Sequence, residues 1–156
     1  MSDPTSFWPS FEQFTPTRSP SAILREIAND LHKRTGNLVG AAVVRTDAAQ
    51  ERFGYNLNIK APALGSYTFW LLNIEHPLEM YPLEISVDEK VGVELGFGME
   101  GWRHFKEVEN EEGFLKALGL ILGTVRVRQV VGALITQARD MKAPVSFNDD
   151  SDDIPF

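Results

Sequence analysis

Three segments decide the fold: LVGAAVVRT at 38–46, RFGYNLNIK at 52–60 and SYTFWLLNIE at 66–75. All three are rich in β-branched and aromatic residues, and turn signals separate them at 47–50 and 61–65. This pattern predicts an antiparallel meander. A period of two runs through the middle segment. Arg52, Asn56 and Lys60 fall on one face, and Phe53, Tyr55, Leu57 and Ile59 on the other, which reads as core. Phe69 and Trp70 point oppositely, so one of them is expected to face solvent. Pro77 and Pro82 frame a loop, residues 83–87 read as a fourth strand, and 90–95 as a fifth strand or an extension of the sheet.

Helical periodicity flanks the meander. Ser19 or Ser21 is placed to cap a helix with Pro20 in its first turn; Ile23, Leu24, Ile27 and Leu31 form its stripe, and Gly36-Asn37 ends it. After a loop at 96–101 the pattern turns helical again. Asn110 is the cap, with Glu111 and Glu112 favourable at a helix N-terminus. Phe114, Leu118, Ile121, Leu122 and Val125 begin an apolar stripe that continues through Val127, Val130, Val131, Leu134, Ile135 and Ala138. Gly123 is the point at which it would split into two helices. Val125-Arg126-Val127-Arg128 also alternates like a strand, and Pro144 ends the body. The expected fold is α+β: an N-terminal helix, an antiparallel four- to five-stranded meander, a C-terminal helix or helix pair, and a disordered acidic tail. Residues 1–19 form a Pro- and aromatic-rich arm, tied to the body through Phe7, Trp8, Phe11 and Phe14. Residues 20–142 form one domain, and 143–156 an interaction tail.

The 156 residues suit a single core. The chain has no cysteine, which excludes disulfides, thiolate metal sites and a cysteine nucleophile. No signal peptide is read at the N-terminus, and the apolar run near 117–125 is too short to span a bilayer. A cytoplasmic protein without membrane partners is expected. The net charge of −7 is unevenly placed. All fifteen Lys and Arg lie at or before Lys142, facing eighteen acids, so the body is near neutral and is not a strongly basic nucleic-acid binder.

Catalytic motifs are lacking. Gly96-Phe97-Gly98-Met99-Glu100-Gly101 has the letters of a dinucleotide fingerprint, but it follows an antiparallel pattern rather than a parallel strand–turn–helix unit. His32, His76 and His104 are widely spaced, and Glu107, Glu109, Glu111 and Glu112 read as a solvated helix start. No enzyme activity, cofactor or metal is expected. A single-strand groove would use Arg45, Arg52, Tyr55, Lys60 and Trp70, with Tyr67 and Phe69 beside them, because such grooves combine cations for phosphates with ring faces for bases. The competing reading makes these aromatics core. A second basic set is Arg126, Arg128, Arg139 and Lys142.

The chain ends Asn148-Asp149-Asp150-Ser151-Asp152-Asp153-Ile154-Pro155-Phe156. Phe156 carries a ring and, as the last residue, a carboxylate; Pro155 biases Ile154 towards extended backbone, and four aspartates steer the segment to a basic surface. This ending resembles the C-terminal tip of bacterial single-stranded DNA-binding proteins, through Asp-Asp-Ile-Pro-Phe. The resemblance implies recruitment of replication, recombination and repair proteins by Asp149, Asp150, Asp152, Asp153, Ile154, Pro155 and Phe156. The body departs from that family's five-stranded barrel, so none of the barrel's DNA-contacting residues is carried over. Two readings follow. In the first, the body binds single-stranded DNA and the tail recruits. In the second, the chain is an adaptor or mimic that carries the tail without binding DNA and competes for host enzymes. Apolar helix stripes and a free meander edge would permit a homodimer.

Overall fold

In a computed structural model, residues 7–12 and 18–142 are described. The acidic tail and Phe14 lie outside them. Among the described residues, helix α1 (Pro20–Arg34) precedes strands β1 (Gly40–Thr46), β2 (Arg52–Lys60), β3 (Thr68–Pro77) and β4 (Leu83–Val87). Then come α2 (Glu89–Leu95), the hairpin β5 (Gly98–Glu100) and β6 (Arg103–Val108), and helices α3 (Glu111–Leu122) and α4 (Val125–Lys142). The sheet is antiparallel, in the order β1-β2-β3-β4-β6-β5. The α+β architecture is therefore the expected one, with six strands and four helices in place of the simpler count.

The helix boundaries follow local chemistry. Ser19 Oγ accepts from the Ala22 amide at 3.2 Å, and Asn110 Oδ1 accepts from the Gly113 amide at 2.8 Å. Gly36 and Asn37, at φ 60° and 68°, take the chain out of α1 in left-handed backbone. Gly123 closes α3, and α4 follows it, so the apolar stripe is split in two.

Three expectations need correction. Residues 90–95 are helical, because Asp88 accepts from the Lys90 and Val91 amides and Gly96 closes the helix in left-handed backbone. The loop expected at 96–101 contains β5, and the strand β6 follows it; Gly101 (φ 64°) sits at the first central position of their two-residue turn. Val125-Arg126-Val127-Arg128 is the first turn of α4, not a strand. In the arm, Trp8 and Phe11 pack on each other with ring centres 6.0 Å apart, while Phe7 is exposed.

The sheet has an apolar face and an open face. Leu57, Ile59, Leu72, Ile74, Ile85 and Val87 belong to one buried cluster with Ile23 and Leu24 of α1, Val91 of α2, Phe114 and Ile121 of α3, and Leu134 and Ala138 of α4. All four helices therefore cover the same face. Phe114 is fully buried, and burial of such a side chain is worth about 1.5–3 kcal/mol. A bulge interrupts β3: Leu57 pairs with Leu72 but Asn58 pairs with Trp70, leaving Leu71 as the extra residue. The bulge turns Phe69 into the core and Trp70 onto the open face. No single helix among the described residues is long and apolar enough to cross a membrane; α3 and α4 pass that test only as a pair, bent by 58°.

Candidate functional site

The open face of the sheet is a polar ladder. Trp70 Nε1 donates to Asn56 Oδ1 at 3.0 Å, and Asn73 Nδ2 donates to the same oxygen at 3.0 Å. The Asn73 amide also reaches the Tyr55 carbonyl at 3.2 Å and Thr46 Oγ1 at 3.3 Å. Asn56 is thus the acceptor that holds the tryptophan in place across two strands. Asn56→Ala is expected to lower stability by about 1–2 kcal/mol, because two half-buried donors lose their acceptor. Urea unfolding with an unchanged m-value would check it.

Further along that face, Arg103 gathers three oxygens: Ser86 Oγ at 3.2 Å, Glu84 Oε1 at 3.4 Å and Glu100 Oε1 at 3.2 Å. Its guanidinium also lies 4.8 Å from the centre of the Phe105 ring. Arg52 pairs with Glu75 at 3.7 Å. Cations on this face are therefore interleaved with carboxylates, which cancels the uniform positive potential that a phosphate backbone needs.

The five residues expected to contact nucleic acid divide between the faces. Arg52, Lys60 and Trp70 belong to the open face, Arg52 and Lys60 at opposite ends of β2 and so about 27 Å apart. Arg45 and Tyr55 lie on the helix side, where they pair across β1 and β2. There the Arg45 guanidinium sits 5.1 Å from the Phe53 ring centre and 6.0 Å from that of Tyr55. His76 stacks on both rings at 5.7 and 6.2 Å and donates from Nδ1 to the Pro77 carbonyl at 2.7 Å. The Phe53 and Tyr55 rings are thus already met by Arg45 and His76. In the second basic set, Arg126 bonds Asp88 at 3.3 Å and covers Phe69 at 5.1 Å. Arg128 and Arg139 are exposed. The partner-binding residues Asp149 to Phe156 lie outside the described residues.

No family model matches the chain, and no curated protein or solved structure matches it.

One feature escaped the sequence pattern. Helices α1 and α4 stand apart over the β1–β2 side of the sheet and leave a groove of about 450 Å³. Leu57, Ile59 and Leu71 floor it; Ile27 and Leu31 line one wall, Val131 and Ile135 the other. Apolar residues at 27 and 31, and at 131 and 135, are spaced as ordinary core stripes, so only their failure to meet reveals the groove.

Two buried polar atoms have no hydrogen-bond partner among the described residues: Tyr81 Oη and His104 Nδ1. Burial, reinforced by the nearby Glu111 carboxylate and opposed by Arg18, pushes the Tyr81 phenol up to about 12 from 10. Between those values the folded chain keeps a proton that the unfolded chain has lost. Stability contributed by Tyr81 is therefore complete below pH 10 and falls as pH rises towards 12. Tyr81→Phe should flatten that alkaline loss in thermal melts, and should remove a phenol that ionises near pH 12 from an absorbance titration.

Proposed function

We propose that this chain is a recruitment protein of single-stranded DNA metabolism, in which Asp152-Asp153-Ile154-Pro155-Phe156 docks on proteins that read the tip of single-stranded DNA-binding protein. The observation that carries this reading is the segment 149–156 itself, with two apolar anchors, Ile154 and Phe156, behind four aspartates. The body supports the adaptor form. Its open face mixes Arg52 and Arg103 with Glu75, Glu84 and Glu100, and the residues expected to form a strand groove fall on opposite faces.

A second reading, in which the body also covers single-stranded DNA, is favoured by one observation: Trp70 reaches the open face amid the side-chain amides of Asn56 and Asn73. An aromatic ring beside side-chain amides on an open sheet suits unstacked bases.

One experiment separates the two. Anisotropy of a labelled oligo-dT is measured with the full chain and with a chain truncated after Lys142, across a salt series. The adaptor predicts no salt-sensitive binding by either form. The strand binder predicts binding by both, tighter without the acidic tail, with log affinity falling linearly in log salt. In parallel, a tip-reading protein should bind the full chain and not the truncated one; binding to neither would reject the recruitment reading.

A further inference from the structure

The groove between α1 and α4 is unlike the rest of the helix-covered face, because two helices that share one core do not close over it. Leu57, Ile59 and Leu71 close it from below and are at most 2% exposed, so the apolar surface it offers belongs to the half-buried Ile27, Leu31, Val131 and Ile135. Apolar walls offer water no hydrogen-bond partners, so solvent satisfies them poorly. At about 450 Å³ the groove lies within the range of small-molecule pockets. It is elongated: the lining residues run from Ile27 to Arg34 on α1 and from Val127 to Ile135 on α4, which is about 10–12 Å of helix on each wall.

Charge at the rim is specific. Arg34 is neutralised by Asp30, with Nε and Oδ2 2.7 Å apart. Arg128, on the opposite wall, has no ion pair among the described residues. The groove therefore joins a linear apolar slot to one unmatched guanidinium, a combination complementary to an aliphatic chain with an anionic end.

We propose that this groove binds a free medium-chain fatty carboxylate, its acyl chain laid between Ile27 and Leu31 of α1 and Val131 and Ile135 of α4 and its carboxylate held by Arg128. The site is independent of the recruitment tip and stands or falls separately from it.

Calorimetric titration of the full chain with octanoate, nonanoate and decanoate, below their micelle concentrations, tests it. Affinity should rise about fourfold with each added methylene, as the transfer of one buried methylene requires. Arg128→Glu should weaken decanoate at least about tenfold, while leaving decanol binding unchanged. Ala41→Phe, which places a ring in the groove, should abolish both, with its melting curve measured to show that it folds. Arg128 is exposed, so its variant keeps the test valid even where Ala41→Phe does not fold. Absence of binding overturns the proposal, as does decanoate affinity that is unchanged by Arg128→Glu. Binding that begins only at the micelle concentration also overturns it. So does binding that appears only after truncation following Lys142, which would assign the groove to the chain's own C-terminal segment.

Discussion

Deletion of Phe156 is expected to lower affinity for a tip-reading protein at least thirtyfold, roughly the effect of removing a binding hot spot worth about 2 kcal/mol. In the proposed docking the residue combines a ring for an apolar hole with a chain-end carboxylate for an Arg or Lys; its deletion removes the ring and leaves a carboxylate on Pro155, one residue short of the pocket. The melting temperature should not change, because the buried cluster among the described residues draws on residues 23–138. A peptide of residues 149–156 separates the two contributions. Amidating its terminus should weaken binding while keeping the ring, and Phe156→Ala should weaken it while keeping the carboxylate. Raised salt should reduce the aspartate contribution of either peptide. Unchanged affinity on Phe156 deletion, in a fluorescence or calorimetric titration, would remove the basis of the recruitment reading.

The second large effect is on stability. Gly92→Ala is expected to cost about 2–3 kcal/mol, a drop in melting temperature of about 4–12 °C for a chain of this size. On an isolated helix the same change would be favourable by about 0.8–1 kcal/mol, since alanine is the better helix former. Here α2 packs directly on β6, and a methyl group at position 92 would overlap the side chain of His104, with Nδ1 only 2.7 Å away. His104 is itself buried, so its ring has no room to withdraw. The clash is with a particular partner, which makes it separable. Introducing Gly92→Ala into a His104→Gly background, which also removes the Cβ nearest the added methyl, should cost much less than in the parent, giving a coupling energy that thermal melts on the four proteins of the cycle would measure. Equal costs in both backgrounds would show that glycine is needed at 92 for another reason.

Much of the fold was legible because its signals are local. The period of two in residues 52–60 separated core from open face, and Ser19, Asn110 and Gly123 marked helix boundaries through their own hydrogen-bonding groups or freedom of backbone. Residues 90–95 misled because Val91, Val93 and Leu95 alternate, as in a strand. The Asp88 cap and the left-handed Gly96 outweigh that alternation, and Val93 is left on the exposed side of the helix. Strand β6 was concealed for the opposite reason. Glu107 reads with Glu109, Glu111 and Glu112 as a helix start, and only pairing with β4 on one side and β5 on the other makes its segment a strand. The candidate strand-binding residues suffered from the same limit: Arg45 and Arg52 are both basic residues at strand positions, yet they face opposite ways.

By itself the sequence determined what depends on neighbours along the chain: the α+β class, the apolar face of β2, the caps of α1 and α3, and the composition of the terminal segment. Tertiary structure decided what depends on residues distant in sequence. The bulge at Leu71 turns Trp70 outward and Phe69 inward, a choice that parity could pose but not make. Glu94 of α2 accepts from the Val125 amide at 2.8 Å and the Arg126 amide at 3.3 Å, so α4 receives a cap from a residue some thirty positions away. The groove exists because α1 and α4, each with an ordinary apolar stripe, cover the same face without meeting. Hydrogen-bonded periodicity acts over three or four residues and is written in the chain order. The spacing between packed elements is a property of the whole core, and it appears only when the elements are assembled.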